Sequence, residues 1–212
     1  MKINKLGHCC LLIEEKGVRI LTDPGMYTVE EQDNLTGLNI LIITHEHADH
    51  LHTESVQKIV ANNREIKIVC NSAVGKILSG LGVKAEIVGD GQSATISGLT
   101  IEGFGKDHAE IYEDYGLVEN TGYFINNKLF YPGDAFTNPG KPVEVLAVPV
   151  AGPWVLIKTA INYAKELKPK TCFPVHDGML INGGFTHAIT KNFIEKAGIG
   201  FAQLEKGQSA EF

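Results

Sequence analysis

The sequence predicts an α/β (α+β) protein in which two β-sheets stack face to face and helices cover both outer faces, an αββα sandwich. Short apolar runs of strand length fill the first 22 residues and recur at 84–104 and 122–148. In each half, segments with apolar residues at helical spacing follow the strands. No linker, low-complexity tract or internal repeat interrupts the chain, so we expect residues 1–212 to form a single domain.

The elements follow from apolar periodicity and from the turn residues between them. Glu15-Lys16-Gly17, Asp90-Gly91 and Asn126-Asn127 are typical turn sequences, and Gly198 stops the last helix. Predicted strands are 2–6, 9–14, 18–22, 38–43, 66–70, 84–88, 93–97, 99–104, 122–126, 128–131, 143–148 and 171–175. Predicted helices are 53–62, 72–80, 154–167 and 187–197, the first two with Thr53 and Ser72 as N-cap residues.

Composition excludes several classes of protein. Apolar residues make up 43% and charged residues 21% of the chain, as in an ordinary globular domain. No run of 18 apolar residues is present, so we expect no membrane partner. The net charge is −6 and Lys or Arg residues form no cluster, which argues against a nucleic-acid partner. The partner we expect is a small-molecule substrate, and composition gives no oligomeric state.

The cysteines and the N-terminus indicate the compartment. No two of the four cysteines form a CxxC pair, so we expect reduced, buried thiols. The N-terminal residues have no apolar signal core. Both observations favour a cytoplasmic protein.

A histidine-rich loop, residues 44–52, is the strongest motif of the chain. It follows the apolar run 38–43 and carries His45, His47, Asp49 and His50 within six residues. Neither a helix nor a strand can direct these four side chains to one point, so a loop must do so. Imidazole and carboxylate are suitable ligands for zinc, manganese or iron. The spacing therefore predicts a metal site at the end of this strand.

Three further candidate ligands follow predicted strands elsewhere in the chain. His108 comes after strand 99–104, Asp134 follows Tyr131-Pro132-Gly133, and His176 follows strand 171–175. Each of them alone is more typical of a surface histidine or a turn aspartate. Together with the histidine loop, they indicate a shared site where several strands end.

These residues, with the Asp23-Pro24 turn, occur in an order that resembles the metallo-β-lactamase-fold hydrolases and spans nearly the whole chain. The opening Leu6-Gly7-His8 and the run Leu21-Thr22-Asp23 are more similar to the branch that includes the ascorbate-6-phosphate lactonases. The resemblance implies one or two divalent ions, Zn²⁺ foremost, with Mn²⁺ or Fe²⁺ as alternatives. It assigns His45, His47 and His108 to the first ion, Asp49, His50 and His176 to the second, and Asp134 to both.

The resemblance and the residue types also give expectations for nearby side chains. Asp23 is expected to accept hydrogen bonds that hold the histidine loop. His8 and His52 are candidates for supporting the ligands or contacting substrate, with a structural role as the alternative, and for His52 that alternative is a residue at the start of helix 53–62. His187 is expected to be structural. The acidic segment 105–121 is either a solvated loop or a lid that repels polyanions.

The function expected from this ligand set is hydrolysis. A metal-bound hydroxide would attack an ester, lactone, amide or phosphoester, and Asp49 would orient it and accept its proton. Trp154, the only tryptophan, is either a wall of the pocket or part of the core. Two alternatives remain open at this point: an iron oxidoreductase of the sulfur dioxygenase type on the same scaffold, and a non-catalytic metal or ligand sensor.

Overall fold

Two seven-stranded sheets form the centre of the computed structural model, which describes residues 1–212. In spatial order, the first sheet contains β14 (Ser209–Glu211), β1 (Lys2–Gly7), β2 (Cys10–Glu15), β3 (Val18–Thr22), β4 (Ile40–Ile43), β5 (Lys67–Cys70) and β6 (Glu86–Ile87). The second contains β13 (Gly200–Phe201), β12 (Thr171–Val175), β11 (Val145–Pro149), β10 (Leu129–Tyr131), β9 (Gly122–Ile125), β8 (Leu99–Phe104) and β7 (Ser93–Ile96). The helices are α1 (Val29–Gln32), α2 (Thr53–Asn62), α3 (Ser72–Gly80), α4 (Ile157–Leu167) and α5 (Gly184–Glu195).

Three apolar clusters hold four layers together. The largest, with 22 buried residues, contains side chains from both sheets and lies between them. Two clusters of 13 residues each pack α2 and α3 on the first sheet, and α4 and α5 on the second. Helices therefore cover both outer faces, and the predicted αββα sandwich is confirmed.

Strand β4 shows how the sequence pattern creates this layering. All four of its residues are buried. Ile40 and Ile42 join the cluster between the sheets, whereas Leu41 and Ile43 join the cluster under the helices. Successive side chains of a strand point to opposite faces, so only a continuous apolar run fits a strand covered on both sides. This packing fixes the point at which the histidine loop begins.

Strand direction brings the candidate ligands to one edge of the sandwich. β3 and β4 are parallel neighbours in the first sheet, and β10, β11 and β12 are parallel neighbours in the second. β8 pairs with β9 and β9 with β10, both antiparallel, so β8 also runs in the direction of β10. Parallel strands end at the same edge, and the loops after β3, β4, β8, β10 and β12 carry all of the predicted ligands.

Several local expectations are corrected. The N-cap of α2 is His52 rather than Thr53, and the N-cap of α3 is Asn71 rather than Ser72. In both helices, the side chain one position earlier accepts a backbone N–H of the first turn. Helix α4 begins three residues later than expected.

Other short elements were not predicted. Helix α5 begins three residues earlier than expected, and the segment 26–37, for which no element was predicted, contains a 3₁₀ turn and the short helix α1. Strands β13 and β14, of two and three residues, lack an apolar pattern long enough to be recognised. No helix combines the length and apolar character that a membrane crossing requires.

Candidate metal centre

The histidine loop packs directly on the turn that follows β3. Met26 N–H donates to the Ala48 carbonyl over 2.9 Å, and His52 N–H donates to the Pro24 carbonyl over 2.9 Å. A Cβ atom on Gly25 would lie 1.7 Å from the Asp49 carbonyl oxygen. Only glycine allows the two backbones to approach this closely, so Gly25 sets the position of the loop.

Asp23 is the buried anchor between these two segments. Its Oδ1 accepts the Thr44 backbone N–H over 2.8 Å. Its Oδ2 accepts the Thr44 hydroxyl over 2.7 Å and His50 Nδ1–H over 2.8 Å. The Tyr131 hydroxyl lies 2.7 Å from both Asp23 Oδ2 and the Cys9 carbonyl, which share its proton. These hydrogen bonds connect the Asp23 turn to Thr44 and His50 of the histidine loop.

Four imidazole rings are each held in place by a hydrogen bond at Nδ1. His108 Nδ1 lies 2.6 Å from the Ala109 carbonyl, and His176 Nδ1 lies 2.7 Å from the Ala151 carbonyl. Because a carbonyl can only accept, Nδ1 carries the proton in both rings. His50 donates to Asp23, and His45 Nδ1 lies 3.0 Å from the Thr44 hydroxyl. That hydroxyl gives its proton to Asp23, so it accepts from His45.

The opposite nitrogens of these rings converge on one carboxylate. Asp134 Oδ2 lies 2.8 Å from His176 Nε2, 3.3 Å from His108 Nε2 and 3.7 Å from His45 Nε2. Asp134 Oδ1 lies 3.1 Å from His50 Nε2. Asn120 fixes the carboxylate by accepting the Asp134 backbone N–H through Oδ1, over 3.0 Å. Asp134 therefore lies between both sets of histidines that the sequence had predicted.

Several of the converging atoms are buried and have no hydrogen-bond partner within the protein. They are His45 Nε2, His50 Nε2, His176 Nε2 and Asp134 Oδ1. A buried polar atom without a partner costs about 1–3 kcal/mol. Three ring nitrogens and a carboxylate oxygen that face one another fit a metal cation, which satisfies all of them at once.

The donor atoms form two neighbouring groups. His45, His47, His108 and Asp134 lie within 4.8 Å of one another, and so do His8, Asp49, His50 and His176. The structure thus brings together all seven residues predicted as ligands and adds His8 to the second group. Cys9, His50 and Asp134 form a third group that meets the same distance limit. All four cysteines are free and buried, as expected.

Burial and mutual charge set the protonation of the site. Burial lowers the pKa of His45 well below its ordinary value. Burial also opposes charge on His176, but the Asp134 carboxylate outweighs it and raises the pKa of His176 to about 9. Burial alone would raise the pKa of Asp134, yet His50, His176 and His45 bring it well below the ordinary range. A cation that binds here must therefore displace protons from the imidazoles beside Asp134.

His8 differs from the other histidines in its tautomer. Its Nδ1 accepts the Gly178 backbone N–H over 3.0 Å, so the proton is on Nε2. Nε2 lies 3.2 Å from Asp49 Oδ2 and donates to it. Burial lowers the pKa of His8 to about 4, which keeps the ring neutral. His8 is therefore arranged to orient Asp49 and not to offer Nε2 to a metal.

Three of these residues have unusual backbone conformations. His8, Asp23 and His176 have φ angles of 49°, 35° and 60°. Residues other than glycine rarely adopt this left-handed region, and it costs of order 1–3 kcal/mol at each position. Such strain concentrates at functional sites, where the surrounding contacts hold the backbone in place.

Two further histidines lie outside both groups. His52 caps α2 by accepting the Ser55 backbone N–H over 3.3 Å, and its Nε2 lies 3.3 Å from Glu54. His187 bridges Asp177 at 2.9 Å and Glu205 at 3.2 Å. The hydrogen bond to Asp177 raises the pKa of His187. Both contacts are structural, which is the alternative left open for His52 and the expectation for His187.

A cavity of about 430 Å³ opens over the two groups. His47, Asp49, His108, Asp134 and His176 form its floor. Its walls are Ile111, Tyr115, Gly116, Pro153, Trp154 and Met179. Trp154 contacts the floor directly, with ring centroids 5.6 Å from His108 and 5.3 Å from His176. Trp154 is therefore a wall of this cavity.

Sequence reasoning missed the outer supports of the site. Thr44, Asn120 and Tyr131 each bind a ligand or Asp23, but their residue types are common in any chain. Thr44 could have been found because it lies between β4 and the first histidine. No local signal marks Asn120 or Tyr131.

Comparisons with known proteins agree with this geometry. Residues 2–176 match the family described as "Beta-lactamase superfamily domain". Protein Rv0786c of Mycobacterium tuberculosis is 30% identical over 185 residues, which cover 85% of each chain. A UPF0173 metal-dependent hydrolase of Carboxydothermus hydrogenoformans is 26% identical over 204 residues, covering 83% of this chain and 84% of that one.

Solved structures share the fold at lower sequence identity. Igni18, a metallo hydrolase from Ignicoccus hospitalis, has a TM-score of 0.79 at 21% identity, over 100% of this chain and 98% of that chain. CmlA, a diiron β-hydroxylase from Streptomyces venezuelae, has a TM-score of 0.78 at 14% identity, over 100% of this chain and 54% of that one. Such identities show the fold alone, because one fold hosts different chemistries. With the family match over residues 2–176, the chain belongs to the beta-lactamase superfamily and is a metal-dependent hydrolase of the metallo-β-lactamase fold.

Proposed function

We propose that this protein hydrolyses an ester, lactone or phosphoester of a small metabolite with one or two divalent metal ions. The observation that carries the proposal is the convergence of partnerless Nε2 atoms on Asp134 at the floor of an open cavity. A purely structural metal site is closed, whereas a catalytic site keeps a position open to water and substrate. The lactonase-like branch remains a prediction.

The donor set favours zinc. His45, His47, His108 and Asp134 would hold the first ion, and Asp49, His50 and His176 with Asp134 would hold the second. Imidazole nitrogens with few carboxylates suit Zn²⁺ better than Mg²⁺ or Ca²⁺, and they also accept Mn²⁺ or Fe²⁺. When bound, a divalent ion acidifies water and polarises the electrophile.

The residues of the chain supply orientation and proton transfer. The Asp49 side chain is 22% exposed and lines the cavity, and its Oδ2 is held by His8 Nε2–H at 3.2 Å. A carboxylate held at one oxygen can present the other to the attacking water and accept its proton. Trp154 and the neighbouring apolar walls exclude bulk water from one side, which strengthens electrostatic interactions within the site.

The test compares ligand variants with a histidine that lies outside the site. His47→Ala and Asp134→Ala should lose bound metal and turnover together, as measured by elemental analysis and an ester, lactone and phosphodiester panel. His52→Asn is the matched control, because asparagine can still cap α2. Full activity in protein stripped of metal by a chelator would refute the proposal.

The same measurements address the alternative chemistry. Bound iron together with oxygen consumption, and no hydrolysis, would favour an iron oxidoreductase. We further propose a small-molecule partner, no nucleic-acid or membrane partner, and a cytoplasmic location. The four free, buried thiols support that location, because such thiols persist in a reducing compartment.

A further inference from the structure

The walls of the cavity differ in chemistry from its floor. Ile111 and Tyr115 come from the segment before β9, Pro153 and Trp154 from the segment before α4, and Met179 from the segment after β12. These five side chains enclose the floor of histidines and carboxylates. A substrate that reaches the floor must therefore place its remaining atoms against apolar surface.

Among the residues that line the cavity, histidines are the only basic side chains. The lining includes neither lysine nor arginine. Lys106, two residues before His108, is 73% exposed and lies 3.8 Å from Asp90, while Lys5 is buried against Asp177 at 2.6 Å. Phosphate or carboxylate groups on a ligand are normally bound by Arg, Lys or several backbone N–H groups. The walls offer a distal anion neither a lysine nor an arginine side chain.

The rim adds negative charge. Segment 105–121 supplies two of the apolar wall residues and contains five acidic residues against one lysine. Glu119 faces α3, where it accepts the Ala73 backbone N–H over 3.0 Å. The other four acids, Asp107, Glu110, Glu113 and Asp114, are exposed. Their field opposes the approach of an anion.

From these three observations we propose that the substrate is an uncharged ester or lactone with an apolar group that packs against Tyr115, Trp154 and Met179. This proposal rests on the hydrolase function proposed above and narrows it. In the reaction, the oxygen of water forms a bond to the acyl carbon and the acyl C–O bond breaks. The proton from water passes to the leaving alkoxide, giving a carboxylic acid and an alcohol, or one hydroxy acid from a lactone.

The experiment compares two substrates that have the same reacting centre. We expect the zinc-loaded enzyme to hydrolyse p-nitrophenyl butyrate with a kcat/KM at least about tenfold above that for p-nitrophenyl hemisuccinate, about 1.4 kcal/mol. These acyl groups have similar length and differ in the distal carboxylate. Bis(p-nitrophenyl) phosphate and p-nitrophenyl phosphate complete the series, and we expect both to be poorer substrates than the butyrate.

Three variants test which surface discriminates between these substrates. Met179→Lys should raise kcat/KM for the hemisuccinate relative to the butyrate. The ratio of kcat/KM for the butyrate to kcat/KM for the hemisuccinate should fall at least threefold. Leu81→Lys introduces the same charge at an apolar residue 38% exposed at the end of α3, outside the cavity lining, and should leave the ratio unchanged. In the wild-type enzyme, kcat/KM should be higher for p-nitrophenyl hexanoate than for p-nitrophenyl acetate, and Tyr115→Ala should reduce this difference.

The outcomes separate the two proposals. Turnover with a preference for the hemisuccinate or for either phosphoester would overturn the inference and leave the hydrolase function intact. Turnover of no ester, lactone or phosphoester by metal-loaded enzyme would overturn the hydrolase function, and the inference with it. The inference would be supported if the wild-type enzyme prefers the butyrate, Met179→Lys reduces this preference, and Leu81→Lys leaves it unchanged.

Discussion

Replacing Asp23 by asparagine tests how the site is held in place. The substitution preserves size and removes one negative charge. Asp23 is fully buried and does not line the cavity, so the change acts through its partners Thr44, His50 and Tyr131. Its effect on metal affinity therefore measures the support that these partners give to His50.

The magnitude follows from the hydrogen bonds that an amide can keep. The Oδ2 position receives three hydroxyl or imidazole donors, so the asparagine oxygen should occupy it. The NH₂ group then faces the Thr44 backbone N–H, and one charge-assisted hydrogen bond, worth about 1.5–3 kcal/mol, is lost. Because the remaining bonds lose their charge, we expect a loss of about 2–4 kcal/mol in the free energy of unfolding.

Metal affinity should fall as well. Mutation of the hydrogen-bond partner of a metal-binding histidine typically costs 10–100-fold in metal affinity or activity, and here the partner of His50 changes from a carboxylate to a neutral amide oxygen. Urea unfolding of the chelator-treated protein measures stability, and competition with a chromophoric zinc indicator measures the dissociation constant. Asp33→Asn is the control, because Asp33 is also a buried acid that binds Ser55 and Lys58 but lies away from the site.

The two readouts distinguish support of the site from general stability. We expect Asp33→Asn to lower stability and leave zinc affinity within about twofold, while Asp23→Asn lowers both. If Asp23→Asn leaves zinc affinity unchanged, the Asp23–His50 bond does not position the ligand and the reasoning fails.

Three further predictions concern the surroundings of the site. His8→Asn can keep the bond from Gly178 but cannot reach Asp49, so we expect kcat to fall about 10–100-fold with metal content unchanged; loss of metal would instead make His8 a ligand. Gly25→Ala places Cβ 1.7 Å from a loop carbonyl, so metal content and melting temperature should both fall, while alanine at the open position Gly80 should have little effect on either. The pKa of His187 is higher in the folded state than in the unfolded state, so protonation of His187 stabilises the fold. This contribution is complete below the unfolded-state pKa of ~6.5 and is lost as pH rises through the folded-state pKa. The difference in unfolding free energy between wild type and His187→Asn, measured in urea without metal, should therefore be larger at pH 5.5 than at pH 9, and an equal difference would contradict this.

The fold could be predicted because local pattern and tertiary burial agree. The continuous apolar run of β4 and the helical spacing of α4 each specify an element, and both are buried as the pattern requires. The short edge strands β13 and β14 could not be predicted, because neighbouring strands define them and their own sequences do not. The N-cap residues predicted for α2 and α3 were wrong because two adjacent polar residues can occupy each cap position, and only the backbone geometry selects between them.

The candidate ligands differ in how clearly the sequence marks them. Histidine loop 44–52 has a spacing that no ordinary structural role requires, so its residue types alone were informative. His108 and His176 have no comparable motif, and their convergence depends on strand direction. The protonation of His8 depends on a backbone N–H that is 170 residues away in the sequence, so no local pattern could reveal it.

The site therefore has two parts with different origins. Strand ends bring the floor together, and hydrogen bonds from Nδ1 to Asp23, Ala109 and Ala151 hold the rings of His50, His108 and His176. Three connecting segments supply the walls, and their exposed members Tyr115 and Met179 contribute little to the buried core. A substitution at either wall residue can thus change which substrate binds without disturbing the bonds that orient the floor. Since loops tolerate sequence change better than the strands they connect, members of this superfamily can keep one metal-binding floor and acquire different substrates through the walls.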